Sequence, residues 1–325
     1  MAPASTPTEP GLPTEVVWQS RPFPNSNFLL LRGQRPSLVD TGFVAHSEQT
    51  AALAGEQSSR IDVVVNTHWH SDHVGANALF QSAGAEIAGS TVEARAIHRH
   101  DAGCCAAEYL DQPVPEYAVD RVLADGDREL LGDSEWEILT IPGHTPGHIA
   151  LWNAEHRLAA VGDSVTAYDV GWVSIMNQGT RALDPAIASL RRLHDLGAKV
   201  LLPGHGPLVT APEPAINKAI SRLERQRENI DLAVDYGAKR ILAFALMIHN
   251  GIVRTELESY LGQRAWVTDS AATVGRDVDD FIRNLLDSML ASGAITLREG
   301  TVYAVAESTP VDLRVFDLPY PRNWE

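Results

Sequence analysis

The chain has 325 residues, 44% of them apolar, and its 26 lysines and arginines face 42 aspartates and glutamates, a formal net charge of −16. That length exceeds the usual single core, so one large domain with a smaller appendage is expected, and the acidic surplus gives no overall footprint for nucleic acid or an anionic bilayer. No apolar run approaches the ~20 residues that span a membrane, and the only two cysteines, Cys104 and Cys105, are adjacent, which suits neither a mutual disulfide nor a zinc-ligand spacing.

In chain order, residues 1–14 are rich in Pro, Thr, Ser and Ala and lack the basic and apolar segments of a secretory signal, so they read as a disordered tail of a cytoplasmic protein. Segments 15–20, 27–32 and 36–40 collect β-formers between turns at Pro22-Phe23-Pro24 and Gly33-Gln34, an opening antiparallel meander. A helical stretch at 45–54 leads to the β-branched run 61–66, a strand buried on both faces. A helix over 72–83, a strand at 85–89 and a helix at 91–100 continue the alternation, and an aperiodic loop, 101–118, closes this half. The second half has β segments at 128–131, 135–141, 149–152 and 157–161, a helix at 184–196 and a strand at 199–202. Two similar βαβ halves facing each other make a four-layer αββα sandwich, an α/β fold.

From Ala211-Pro212-Glu213-Pro214 the pattern turns mainly helical, beginning with 216–234, where Ile216, Ile220, Leu223 and Ile230 keep helical spacing. The expected organisation is a tail over 1–14, a catalytic domain over 15–212 and a smaller domain over 213–325. In the latter, an amphipathic helix at 277–292, a segment at 294–297, the turn Arg298-Glu299-Gly300 and a segment at 301–304 follow the order of winged-helix modules. Asp277, Asp279, Asp280 and Asp287 outweigh Arg276 and Arg283 there, which disfavours phosphate binding and leaves packing or homodimerisation.

The chemistry is concentrated in His68-Trp69-His70-Ser71-Asp72-His73, three imidazoles and a carboxylate in six residues after a buried strand. Such density is hard to bury without a cation, and these ligand types suit a borderline divalent ion such as zinc. One loop cannot surround an ion, and three turn segments, each after an apolar β run, offer more: Pro142-Gly143-His144-Thr145-Pro146-Gly147-His148, Val161-Gly162-Asp163-Ser164 and Pro203-Gly204-His205-Gly206-Pro207. Glycine beside each ligand permits turn dihedrals and a close backbone approach. His148 is expected to hydrogen-bond locally.

With Val39-Asp40-Thr41-Gly42 added, this ordered set resembles the metallo-β-lactamase fold superfamily over roughly residues 15–210. The resemblance implies two divalent metal ions, zinc by default with iron or manganese as alternatives, one held by His68, His70 and His144, the other by Asp72, His73 and His205, with Asp163 bridging. Asp40 would orient a ligand or the bound water. The implied chemistry is hydrolysis by a metal-bridging hydroxide, with Asp72 receiving or steering the proton. Asp163 stands where the commonest periplasmic zinc β-lactamases carry cysteine, and His70 where flavodiiron relatives carry glutamate; both favour a hydrolase of the glyoxalase II and acyl-thioesterase branch. The absence of a convincing general acid favours a thioester, whose leaving thiolate needs little assistance. Tyr168, Trp172 and Met176, after the bridging aspartate, are candidates for an apolar acyl pocket. Lactonase relatives have a tyrosine where this chain has Thr166, which makes lactone hydrolysis the alternative; phosphodiester hydrolysis, which would need a clustered basic surface, and a non-enzymatic metal-binding regulatory role are the others. The expected partner is a small-molecule or acyl-carrier-linked substrate, with neither nucleic acid nor membrane.

Overall fold

The computed structural model describes residues 11–324; the expected tail lies outside the described residues up to position 10, and from Gly11 the chain is placed, with Leu12 against the core between the sheets. The first half builds a six-stranded sheet in the order of the chain: β1 (Val16–Gln19), β2 (Phe28–Leu31), β3 (Ser37–Val39), then, after α1 (Ser47–Gln57), β4 (Val63–Val65). Helices α2 (Ser71–Val74) and α3 (Asn77–Ser82) precede β5 (Glu86–Ser90), and α4 (Thr91–His98) and α5 (Ala107–Leu110) precede β6 (Arg121–Leu123). The opening meander is antiparallel, and β3 to β6 are parallel.

The second sheet holds β7 (Arg128–Leu131), β8 (Ser134–Thr140), β9 (Ile149–Asn153) and β10 (Leu158–Gly162) as an antiparallel meander; α6 (Ile175–Gln178) and α7 (Leu183–Asp195) then carry the chain to β11 (Val200–Pro203), parallel to β10. The halves therefore share layers rather than connectivity: only β10 to β11 is a parallel crossover in the second, in place of the expected pair of similar βαβ halves.

Alternation along the strands explains why both faces are apolar. Leu29, Leu31, Val63 and Val65 point inward to meet Trp136, Ile138, Leu151 and Leu202 of the facing sheet. Leu30, Leu38, Val64 and Ile87 point outward under α1, α3 and α4, where the buried, unpaired Cys104 and Cys105 also pack. On the other side Leu139, Ala159 and Leu201 face α7, giving the four-layer αββα sandwich.

That last core continues into a mainly helical C-terminal region: α8 (Pro212–Glu228), α9 (Ile230–Ile248), β12 (Ile252–Val253), α10 (Arg254–Gly262), α11 (Ala265–Thr273), α12 (Val278–Ala291), β13 (Ile295–Arg298) and β14 (Thr301–Ala304). The three strands form a small sheet in the order β12, β14, β13. No helix among the described residues is long and apolar enough to cross a membrane.

Two helices that the periodicity makes continuous are broken. The helix over 72–83 splits at Gly75, whose N–H bonds to Gly42 O and where a Cβ would lie 2.2 Å from Val44 N, so tertiary contact overrides helical propensity. The helix over 216–234 breaks at Asn229, extended in backbone, whose side chain accepts from Asp231 N and starts α9 afresh. Strands β6 and β12 and helices α10 and α11 lie in stretches whose periodicity is too weak to read.

Asp111, just past α5, ties the sandwich to the C-terminal region. It accepts hydrogen bonds from Tyr260 Oη at 3.0 Å and Tyr320 Oη at 2.6 Å and pairs with Arg264 at 3.1 Å. Burial opposes its charge, but His249, Tyr320, Arg264 and Tyr260 hold the carboxyl at about 2, below its ordinary 3.8. Between these values the unfolded chain binds the extra proton, so this contribution is complete above about pH 4 and is lost as pH falls through 2, a loss of roughly 2 kcal/mol. Denaturant unfolding of Asp111→Asn should show stability lower by about that amount at neutral pH and a flatter decline between pH 4 and 2; an unaltered pH profile would refute the clamp.

Candidate metal centre

The seven candidate ligands come from loops at strand ends. The chain leaves β4 at Val65, and His68 and then His70, extended in backbone, precede the single turn of α2 that sets Asp72 and His73 beside them. His144 lies beyond β8, Asp163 directly after β10 and His205 two residues past β11. The structure gathers them into three overlapping groups, His68, His70 and His144; His68, His73 and Asp163; Asp72, His73 and His205, with the ligand atoms of each within 4.8 Å of one another.

Their neighbours decide which ring nitrogen faces inward. His144 Nδ1 donates to Trp172 O at 2.7 Å, and His73 Nδ1 donates to Asp40 Oδ2 at 2.8 Å, so each presents Nε2 to the centre. Asp40 also accepts from Thr67 N and Thr67 Oγ1, at 2.8 and 2.7 Å, and the Thr67 hydroxyl is 3.1 Å from His68 Nδ1. Asp40 thus fixes the His73 ring directly and the His68 ring through Thr67, and it is not among the residues lining the cavity described below. It does so from a left-handed backbone, φ 61°, a conformation that aspartate tolerates better than most residues. Asn27 braces the His205 loop, its amide donating to Pro203 O and Gly206 O, both at 2.9 Å. At Gly204 a Cβ would sit 2.2 Å from Asp163 Oδ1 and 2.7 Å from His73 Cε1, so only glycine lets this backbone pass so close.

The imidazoles divide by their neighbours: against burial, Asp40 and Asp163 raise His73 well above the usual imidazole range, and Asp163 and Asp72 raise His205. Burial drives His70 down to about 3 and His68 well below the usual imidazole range, helped by the surrounding imidazoles, which leaves both neutral as ligation requires. Burial also opposes charge on Asp163, yet His205 and His73 hold it well below the ordinary carboxylate value. Among the described residues, His68 Nε2, His73 Nε2 and Asp163 Oδ1 are buried without a well-formed hydrogen bond, the last two facing each other at 3.3 Å. Polar atoms so poorly satisfied in a core are costly, and imidazole and carboxylate donors at these positions fit divalent cations.

Other expectations fare differently. His148 bonds locally through its backbone, to Thr145 O at 3.4 Å, but among the described residues its two buried ring nitrogens have no partner; its ring is 4.9 Å from that of His68, and it joins none of the ligand groups. Trp172 lines a cavity of about 540 Å³ over the centre and stacks on His70, 5.9 Å between centroids. Tyr168 also lines it but stands at the rim, 67% exposed. Met176 is not among the lining residues; it lies in the core against Gly237 of α9, where the helical layer draws it away from the site.

Sequence reasoning missed three contributors. Phe23 stacks on His205 at 4.6 Å and lines the cavity. Arg240 of α9 lines it from the C-terminal region. Buried Glu93 of α4 accepts from Thr145 Oγ1 at 2.7 Å and from the Trp69 backbone, joining the two histidine loops; burial pushes its carboxyl up to about 8 against those bonds. Only the Pro22-Phe23-Pro24 turn gave a local signal, as the other two are ordinary helix residues.

The sequence profile of the Metallo-beta-lactamase superfamily matches residues 21–205, and the ligand constellation lies within that match. The chain belongs to this superfamily. It is 28% identical over 224 residues to a Beta-lactamase-like protein 2 homolog of Caenorhabditis elegans, covering 65% of this chain and 66% of that one. It is 37% identical over 153 residues to a hydroxyacylglutathione hydrolase of Cereibacter sphaeroides, 47% and 50% of the two chains. With an atrochrysone carboxyl ACP thioesterase of Aspergillus fumigatus it shares 26% over 211 residues, 64% and 59%. The chain thus spans half to two thirds of the length of these curated relatives. In fold it is similar to a Beta-lactamase domain protein from Burkholderia ambifaria, at a TM-score of 0.56 and 20% identity over 93% of this chain and 98% of that one. A metallo-beta-lactamase family protein from Thermus thermophilus gives 0.54 and 20% over 89% and 97%.

Replacing Asp40 by alanine removes the acceptor of His73 Nδ1–H and of Thr67. Metal affinity, read by chelator competition, is expected to fall about 10- to 100-fold, with Asp40→Asn intermediate because it keeps the backbone preference but loses the charge. Unchanged affinity in Asp40→Ala would exclude the orienting role.

Proposed function

We propose that the chain is a metal-dependent hydrolase of thioesters or closely related esters, with two divalent metals at the centre described. The observation that carries this reading is the cavity of about 540 Å³, whose floor is His70, Asp72, His144, Asp163 and His205 and whose walls include Leu110, Trp172, Ile241, Phe244 and Met247. One metal would be held by His68, His70 and His144, the other by Asp72, His73 and His205, with Asp163 shared. When bound there, such ions supply Lewis acidity toward a carbonyl oxygen and lower the pKa of water from 15.7 to ~7.

The chain's own residues do the rest. The apolar wall takes an acyl chain and excludes water, which strengthens charge interactions at the floor. Asp72, at the cavity surface with His205 Nε2 3.0 Å from its Oδ2, is placed to take a proton. Of the lining carboxyls, Asp72 and Asp163 are assigned to the metals and Asp169 is held by Arg222 and Arg240, and Tyr168 is exposed at the rim, so no free acid is left for a poor leaving group, which favours a thiolate. The Tyr168 phenol at the rim, with Thr166 in the pocket wall, weakens the lactone alternative. The likeness to a hydroxyacylglutathione hydrolase and an acyl-carrier thioesterase supports the same reaction type.

Purified protein should contain close to two equivalents of zinc, iron or manganese and, metal-loaded, should hydrolyse thioesters in preference to lactone, β-lactam and phosphodiester substrates. Chelation should abolish turnover and metal should restore it. His70→Ala and Asp163→Ala are each expected to lower kcat by at least about 10³-fold with an unchanged far-UV circular dichroism spectrum. Metal-loaded protein inert on the whole panel would leave a non-enzymatic metal-binding role.

A further inference from the structure

Asp169 and Arg240 line both the catalytic cavity and a second recess of about 500 Å³ between α8 and α9. In a chain of net charge −16, this recess gathers four cations, Arg222, Arg225, Lys239 and Arg240, against two carboxylates, Asp169 and Asp235, an excess of two positive charges. Asp169 holds Arg222 Nε at 2.8 Å through Oδ1 and Arg240 Nη2 through Oδ2. Both guanidinium groups lie against the Tyr236 ring, 5.1 and 3.4 Å from its centroid, and Tyr236 is itself fixed by a hydrogen bond to Val170 O. A guanidinium has five N–H donors, and among the described residues the other N–H groups of these two arginines have no hydrogen-bond partner. Lys239 pairs with Asp235 at 2.9 Å, whereas Arg225 is exposed and has no ion-pair partner among the described residues.

Fastening the loop that carries Asp169 would account for one arginine, but not for four cations held around a void beside the reaction site. Guanidinium forks fixed by a carboxylate and an aromatic face are suited to bidentate recognition of phosphate. We propose that this recess binds the phosphate of a phosphorylated thiol carrier, the leaving-group half of a thioester whose acyl half occupies the apolar cavity. The assignment rests on the thioesterase reading above and narrows its substrate class. Coenzyme A and the phosphodiester-linked pantetheine of an acyl carrier protein present the same chemistry from two sources.

The direct test is calorimetric titration of the full chain with coenzyme A and with pantetheine, which has the thiol arm but no phosphate. Coenzyme A should bind about tenfold or more tightly than pantetheine, the size expected of one charge-assisted hydrogen bond, and the gap should shrink as salt is raised. In the double variant Arg222→Gln, Arg240→Gln, which removes both fixed forks, the gap should close; equal binding of the two probes by the unmodified chain, or a gap that survives in the folded double variant, overturns the site. Hydrolysis of matched acyl thioesters of coenzyme A, acyl carrier protein and pantetheine separates the two ideas. Phosphate-dependent binding with none of the three hydrolysed would sink the thioesterase reading and leave the site. Hydrolysis of all three at equal kcat/KM, with equal binding, would sink the site and leave the thioesterase. A faster carrier-protein or coenzyme A thioester identifies the source. Single-stranded RNA that displaces coenzyme A and is cut would overturn the thiol-carrier assignment.

Discussion

A largely desolvated carboxylate ringed by imidazoles is the constraint on which the rest of this structure depends. Asp163 lies at the end of β10 with His73, His144 and His205 within 3.3 to 3.6 Å of its oxygens. Removing such groups from water is unfavourable unless a counter-charge replaces hydration, so every supporting feature aims the same atoms at one another. The Asp40 carboxylate turns His73, the Trp172 carbonyl turns His144, and Glu93 binds the two histidine loops together. The sandwich makes this possible because its apolar strands need no help from the loops to hold together, which frees the strand ends for groups that would destabilise an ordinary core.

The C-terminal region is part of the site rather than an appendage to it. Its α9 supplies Ile241, Phe244 and Met247 to the cavity wall and Arg240 to both the cavity and the basic recess. The core under α7 runs without a break into α8 to α12, and Asp111 locks the far side. An apolar chamber and a cationic recess thus share a wall made of one helix.

Much of the sandwich was legible because its strands are short apolar runs and its ligands sit in glycine-flanked turns after them. His68 to His73 announced a metal loop by density alone, and His144, Asp163 and His205 were found by their turn contexts and family resemblance. Where reading failed, tertiary contact had overridden a local signal. Gly75 splits a helix because the Gly42–Val44 backbone crosses it, and Met176, apolar and near the ligand Asp163, packs on α9 instead of facing the cavity. His148 looked like a residue with a local partner, yet among the described residues only its backbone has one and its ring nitrogens have none.

By itself the sequence determined the layers, the residues able to bind metal and the class of chemistry they support, because these follow from side-chain type, periodicity and turn chemistry within a few residues. Only the tertiary structure decided which imidazole nitrogen faces the centre, that Glu93 and Phe23 belong to the site, and that cations from α8 and α9 gather beside it. Those features join residues far apart in sequence, and a distance created by packing leaves no trace in local composition.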